Sequence, residues 1–147
     1  MHLKRLALAC AVGVAACSSP FGPDEARALA AARARWEGRA FVDYTFDARH
    51  DCFCAPEQVG PVRITVQQGA IVSVTLLQTG EAVDPASWFT IDQLFDRIPL
   101  VAKEDGVDDV TVEYDATFGF PTSVEVRFEK GILDAGSNYT VSAVAPV

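Results

Sequence analysis

Three side chains close together in the sequence could do chemistry as a set: His50, Cys52 and Cys54. On a strand, residues two apart share a face, with Cα atoms ~6.6 Å apart. A disulfide needs roughly 4.4–6.8 Å, so a Cys52–Cys54 bridge forms if the strand bends slightly. Its ring would be very small, and loop entropy gives it only about 1.5 kcal/mol. Such a bridge shapes a local turn and does not staple a fold. The same residues carry a metal alternative, because thiolate sulfur with imidazole suits Zn or Cu(I). Geometry opposes it. His50 and Cys54 lie ~13 Å apart on a straight strand, and Asp51 points to the other face. One ion gathers all three only where the chain folds back. The Cys-x-x-Cys spacing of redox-active bridges is absent from this segment.

Other candidates read as structure. In Tyr114-Asp115…Gly119-Phe120-Pro121, Asp115 can bond backbone amides, Gly119 can supply a positive φ and Pro121 can start a strand. A serine nucleophile would have to use His50, and no Gly-x-Ser-x-Gly turn is present. Nor is there a glycine-rich loop of the kind that cradles phosphates. No catalytic constellation emerges, and the expectation is a non-enzymatic domain without a dissociable cofactor.

Cys17 carries chemistry of another kind. Lys4-Arg5 precedes the apolar run Leu6–Val14, and small residues lead to Val14-Ala15-Ala16-Cys17. A basic start, a short apolar run and small residues describe an export signal. Leu6–Ala16 is too short to cross a hydrocarbon core, which needs ~20 residues. The segment resembles the bacterial lipobox. That resemblance implies cleavage before Cys17 and a diacylglyceryl group on that cysteine, with palmitate among its acyl chains. Cys10 is the weaker cleavage candidate, with few apolar residues between it and Arg5. Ser18 is not the Asp that marks inner-membrane retention, so the resemblance favours the periplasmic side of an outer membrane where the host has one. Export also places Cys52 and Cys54 in an oxidising compartment.

The expected organisation is a signal over 1–16, a lipidated cysteine with a short tether over 17–23, and one domain over 24–147. The tether, if fully extended, spans only ~20 Å, which holds the domain near the membrane. Loss of residues 1–16 removes two cations and no acid, leaving 10 basic and 20 acidic residues. A net charge of −10 argues against a nucleic-acid partner, whose phosphates need a basic footprint. The expected partners are the membrane, through the lipid, and an envelope protein or small ligand. Arg27, Arg33, Arg35 and Arg39 concentrate on the first helix. They read as a solvated face, with contact to lipid head groups as the sharper alternative.

Elements that must position these residues follow from periodicity. Asp24–Arg39 reads as a helix capped by Asp24, with Leu29, Ala32, Trp36 and Ala40 as its buried stripe. Val42, Tyr44, Phe46 and Ala48 alternate with polar residues, the mark of a strand with one wet face. Val62, Ile64 and Val66 begin a hairpin that turns at Gln68-Gly69 and returns with Val72, Val74 and Leu76. Thr90 caps a second helix with Ile91, Leu94, Phe95 and Ile98 inward, and Pro99 should kink or end it. Val110, Val112 and Tyr114, then Val124, Val126 and Phe128, then Tyr139, Val141 and Ala143 give three further strands. The expected fold is α+β: an antiparallel sheet of about six strands with two helices on one face, in the order α-βββ-α-βββ.

Trp36, Tyr44-x-Phe46, Cys52-x-Cys54, Phe89 with Leu94-Phe95, Tyr114-Asp115 and Gly119-Phe120-Pro121-Thr122 occur as an ordered set. The set, over roughly residues 30–130, resembles a family of small bacterial envelope lipoproteins known only as a domain of unknown function. The resemblance implies an envelope location and no particular activity. After Lys130 the chain departs from it, because Gly131–Ser137 is poorer in acids than the corresponding segment of the family.

Overall fold

A computed structural model describes residues 20–53, 55, 58–129 and 136–147. Helix α1 (Pro23–Glu37) leads into strands β1 (Tyr44–Asp51), β2 (Val62–Gln67) and β3 (Ala70–Leu76). After a single 3-10 turn, helix α2 (Ile91–Val101) leads into β4 (Val107–Tyr114), β5 (Pro121–Phe128) and β6 (Ser137–Pro146). The six strands form one sheet in the order β3-β2-β1-β6-β5-β4. Every neighbouring pair is antiparallel. The α+β class and the order α-βββ-α-βββ are those expected. Each half is a helix and a meander, and β1 joins β6 to make the two meanders one sheet.

Alternation decides which face is covered. Tyr44, Phe46 and Ala48 of β1 and Val62, Ile64 and Val66 of β2 are buried, as are Val124 and Val126 of β5. Ala32 and Trp36 of α1 and Ile91, Leu94, Phe95 and Ile98 of α2 close over that face in the same core. Helix α2 begins as expected. The Thr90 hydroxyl accepts from the Gln93 amide and the Gln93 side chain accepts from the Thr90 amide, so two free amides of the first turn are paired.

Several positions differ from the periodic reading, each for a local reason. Helix α1 starts one residue early: Gly22 is its N-cap, Pro23 occupies the first turn, and Asp24 lies inside that turn bonded to Arg27. Proline's fixed φ is already helical at that position. The helix stops at Gly38, so Ala40 falls beyond it and is exposed. Val42 precedes β1 and is 66% exposed. In β3 the pairing steps from Thr65↔Ser73 to Val66↔Ile71. Val72 is thereby the extra residue of a β-bulge and turns outward, while Ile71 packs on the core. A bulge in β6 at Ala143, whose φ is 52°, does the same there: Ala143 is exposed and Val144 packs inward. Pro99 neither ends nor interrupts α2, which runs on to Val101. Being in the last turn, it removes only the bond to the Phe95 carbonyl.

Both sheet edges are occupied. The Val110 amide of β4 donates to the Pro20 carbonyl at 3.3 Å, so the chain is held to the sheet from Pro20 onward. Beside β3, the Val83 amide donates to the Val74 carbonyl at 2.9 Å.

The turn from β4 to β5 is built as its residues suggest. Asp115 Oδ1 accepts from the Thr117 and Phe118 amides, Gly119 has φ +83°, and Pro121 opens β5. The loop packs on α1 so closely that a Cβ at Gly119 would meet the Ala32 carbonyl and lie 2.9 Å from the Arg35 Cβ. Gly69 also has a positive φ, +79°, but a Cβ there would meet nothing within 4 Å. Gly69→Ala should therefore cost only the left-handed backbone penalty, ~1 kcal/mol. Gly119→Ala should cost at least ~2 kcal/mol, because strain and collision add. Urea unfolding of the two variants measures the difference, and equal losses would contradict the packing of this loop on α1.

Candidate functional site

Two groups of polar side chains are gathered by the fold. The first lies where α1, α2 and β1 meet. The Trp36 indole N–H donates to Asp92 Oδ1 at 3.1 Å. Arg39 lies flat over Trp36, 3.8 Å from the ring centroid, donates to the Trp36 carbonyl, and faces Asp92 at 3.7 Å. The Tyr44 hydroxyl accepts from the Ile91 amide, a first-turn donor of α2 that has no helical partner. Burial, then the charge of Asp92, pushes the Tyr44 phenol well above its ordinary value. These groups hold one another, and of them Asp92 is left partly exposed. Arg27 and Arg33 also have carboxylate partners, Asp24 for one and Glu37 with Asp96 for the other. The arginine-rich face of α1 is thus largely neutralised by its own neighbours.

The second group lies at the far end of β1. His50 continues the inward parity of Tyr44, Phe46 and Ala48 and is half-buried. It stands opposite Tyr139 of β6, with ring centroids 5.6 Å apart. Burial pushes the imidazole below its ordinary 6.5; nearby Arg97 lowers it further, and Asp51 opposes the shift. Beyond Asp51 the strand bends away. Cys52 Sγ lies 3.9 Å from the His50 carbonyl oxygen, and Phe53 is 89% exposed. The straight strand that would set His50, Cys52 and Cys54 on one face therefore ends before Cys52. Cys54 and Cys17 lie outside the described residues, so the bridge, the metal set and the lipid site remain expectations. Among the described residues, no three His, Cys, Asp or Glu side chains gather as a metal would require.

Between α2 and the sheet, beside His50, is a cavity of about 90 Å³. Its polar lining is His50, Arg97, Ser137 and Tyr139, and its walls are apolar residues of α2 and β5. Arg97 and Tyr139 escape the sequence reading. Arg97 follows Leu94 by three residues, so helical spacing already puts it beside the apolar stripe. The meeting of Tyr139 with His50 depends on the β1–β6 register, and local pattern carries no such signal.

The Tyr114-Asp115…Gly119-Phe120-Pro121 segment is the turn described above. Tyr114 stacks on Phe95 with centroids 6.4 Å apart, and burial pushes its phenol up to about 12. The described geometry joins the resembling motifs physically: Trp36, Tyr44, Phe95 and Phe120 share one core. A model of the Family of unknown function (DUF6174) matches residues 28–146. The chain belongs to that family. The match runs from within α1 to the end of β6, and so includes both the α1–α2–β1 junction and the cavity. No curated protein matches the chain, and no solved structure does.

The His50 environment sets a pH dependence in this DUF6174 domain. Its folded pKa lies below 6.5, whereas the unfolded chain holds the ordinary value. Between the two, the unfolded state binds more protons, so stability rises with pH. This contribution is complete above ~6.5 and is lost as pH falls towards the folded pKa. An NMR titration, with His50→Gln identifying the resonance, should give a midpoint below 6.5. A midpoint at or above 6.5 would contradict the burial.

Proposed function

We propose that this protein is a bacterial envelope lipoprotein, anchored through Cys17, whose DUF6174 domain binds a partner or ligand rather than catalysing a reaction. The observation that carries the reading is the pattern Lys4-Arg5, apolar run, Val14-Ala15-Ala16-Cys17, set immediately before the domain. Support comes from Pro20, which is already bonded to β4. Three residue steps separate it from Cys17, a reach of only ~10 Å. Anchored there, the domain would lie at the bilayer surface with its β4 edge nearest the lipid. Among the described residues, no helix is long and apolar enough to cross a membrane.

The binding role is supported by the face of the sheet that no described element covers. Outward residues there form cross-strand pairs: Arg63 with Asp47 through two bonds, Arg127 with Asp109, and Ser123 with Asn138. These pairs set opposite charges side by side on that face, suited to selective contact. In the oxidising envelope, Cys52 and Cys54 would be bridged where the strand bends. The location that follows is the periplasmic side of the outer membrane where the host has one.

Cys17→Ser should remove acylation and release the protein into the soluble fraction, since firm anchoring takes more than one chain. Membrane fractionation with labelled palmitate reads both. A variant that still sediments with membranes after a salt wash would overturn the anchor.

A further inference from the structure

From the cavity beside His50 we infer a binding site for a short aliphatic carboxylate, its head on Arg97 and its tail under α2. This gives a ligand class to the binding role proposed above and rests on that reading, but not on the anchor. The protein is strongly acidic, with a net charge of −8, yet among the described residues no carboxylate lines this cavity. Its charged and polar groups are a guanidinium, an imidazole and two hydroxyls. Arg97 lies over the Phe89 ring at 4.3 Å. Among the described residues it has no carboxylate within 4 Å, unlike Arg27, Arg33, Arg39, Arg49, Arg63 and Arg127. Stacking on Phe89 holds its planar fork ready for a two-bond contact, the geometry a carboxylate matches.

The second observation is Tyr139. The residue is 7% exposed, and among the described residues its hydroxyl makes no well-formed hydrogen bond, the Phe89 amide being near enough only to act on it. The Phe89 amide acts on it too weakly to offset burial, which pushes the phenol well above its ordinary value. A buried hydroxyl left this way is costly, and a ligand oxygen would satisfy it.

Size and walls set the tail. A dry apolar cavity of ~150 Å³ admits a benzene. The 90 Å³ here, walled by Leu94, Ile98, Val124 and Val126, accepts less, so a chain of three or four carbons fits. Phosphate or sulfate would leave these walls uncovered, and an amine would face Arg97.

The test is NMR titration of the full chain in detergent with butyrate, butanol and acetate. Butyrate should shift the His50, Tyr139 and Ser137 signals together, and the other two should do so at least ~10-fold more weakly, lacking the charge or the tail. Arg97→Gln, at an exposed position, should weaken butyrate ~10-fold while leaving the fold's spectrum intact. Tyr139→Phe should weaken butyrate without lowering stability. No shift with butyrate, equal shifts with butanol, or full affinity in Arg97→Gln would overturn the site. Consumption of butyrate would keep the site and overturn the non-enzymatic reading.

Discussion

The fold turns on a single bond between helices: the Trp36 indole N–H on Asp92, with Arg39 laid across the indole. Trp36 is fully buried, so an indole N–H without a partner there would cost ~1–3 kcal/mol. Asp92 supplies that partner from the first turn of α2, where a negative charge is favoured by the helix dipole. Arg39 balances the carboxylate from the opposite side and keeps only about a tenth of its side chain exposed. Tyr44 then ties the Ile91 amide to β1 and meets Trp36 edge-on at 5.1 Å. Three elements distant in sequence are thereby fixed at one point. Aromatic edges and the stacked guanidinium add ~0.5–2 kcal/mol each beyond area burial.

Once α2 is fixed at its N-terminus, its remaining length must lie along the sheet. The strand order brings β1 and β6 to the centre, so α2 runs over them and over β5. His50 and Tyr139 then meet beneath its C-terminal half, beside Arg97. The two polar gatherings are thus opposite consequences of one placement. At the start of α2 the Trp36 N–H, the Asp92 carboxylate and the Ile91 amide find partners within the protein. Further along, among the described residues, Arg97 finds no carboxylate and the Tyr139 hydroxyl no well-formed hydrogen bond. Occupied edges complete the arrangement. Pro20 covers the Val110 amide of β4 and Val83 the Val74 carbonyl of β3, groups that would otherwise invite another chain.

Much of this is legible in local pattern. Strict alternation locates every strand, and Thr90 with Gln93 marks the start of α2, because those signals lie within a few residues. The turn at Asp115 and Gly119 is legible for the same reason. What fails is a residue count. Unbroken alternation puts Val72 and Ala143 inward, and one bulge in each strand reverses them. Pairings across 40 or more residues are invisible to local pattern: Trp36 with Asp92, Tyr44 with Ile91, His50 with Tyr139. The candidate site is half legible. His50 stands out for its chemistry, but Cys52 lies beyond the end of β1, and the described side chains beside His50 in the cavity come mostly from α2, β5 and β6.

The central claim, that Trp36 and Asp92 act as one unit, is tested most directly by a double-mutant cycle in urea. Trp36→Phe removes the N–H and keeps an aromatic ring; Asp92→Ala removes the acceptor. If the two side chains hold α1 to α2, the losses are not additive, and the coupling should reach ~1 kcal/mol or more. Additivity to within ~0.3 kcal/mol would contradict the account and leave the helices held by apolar packing alone.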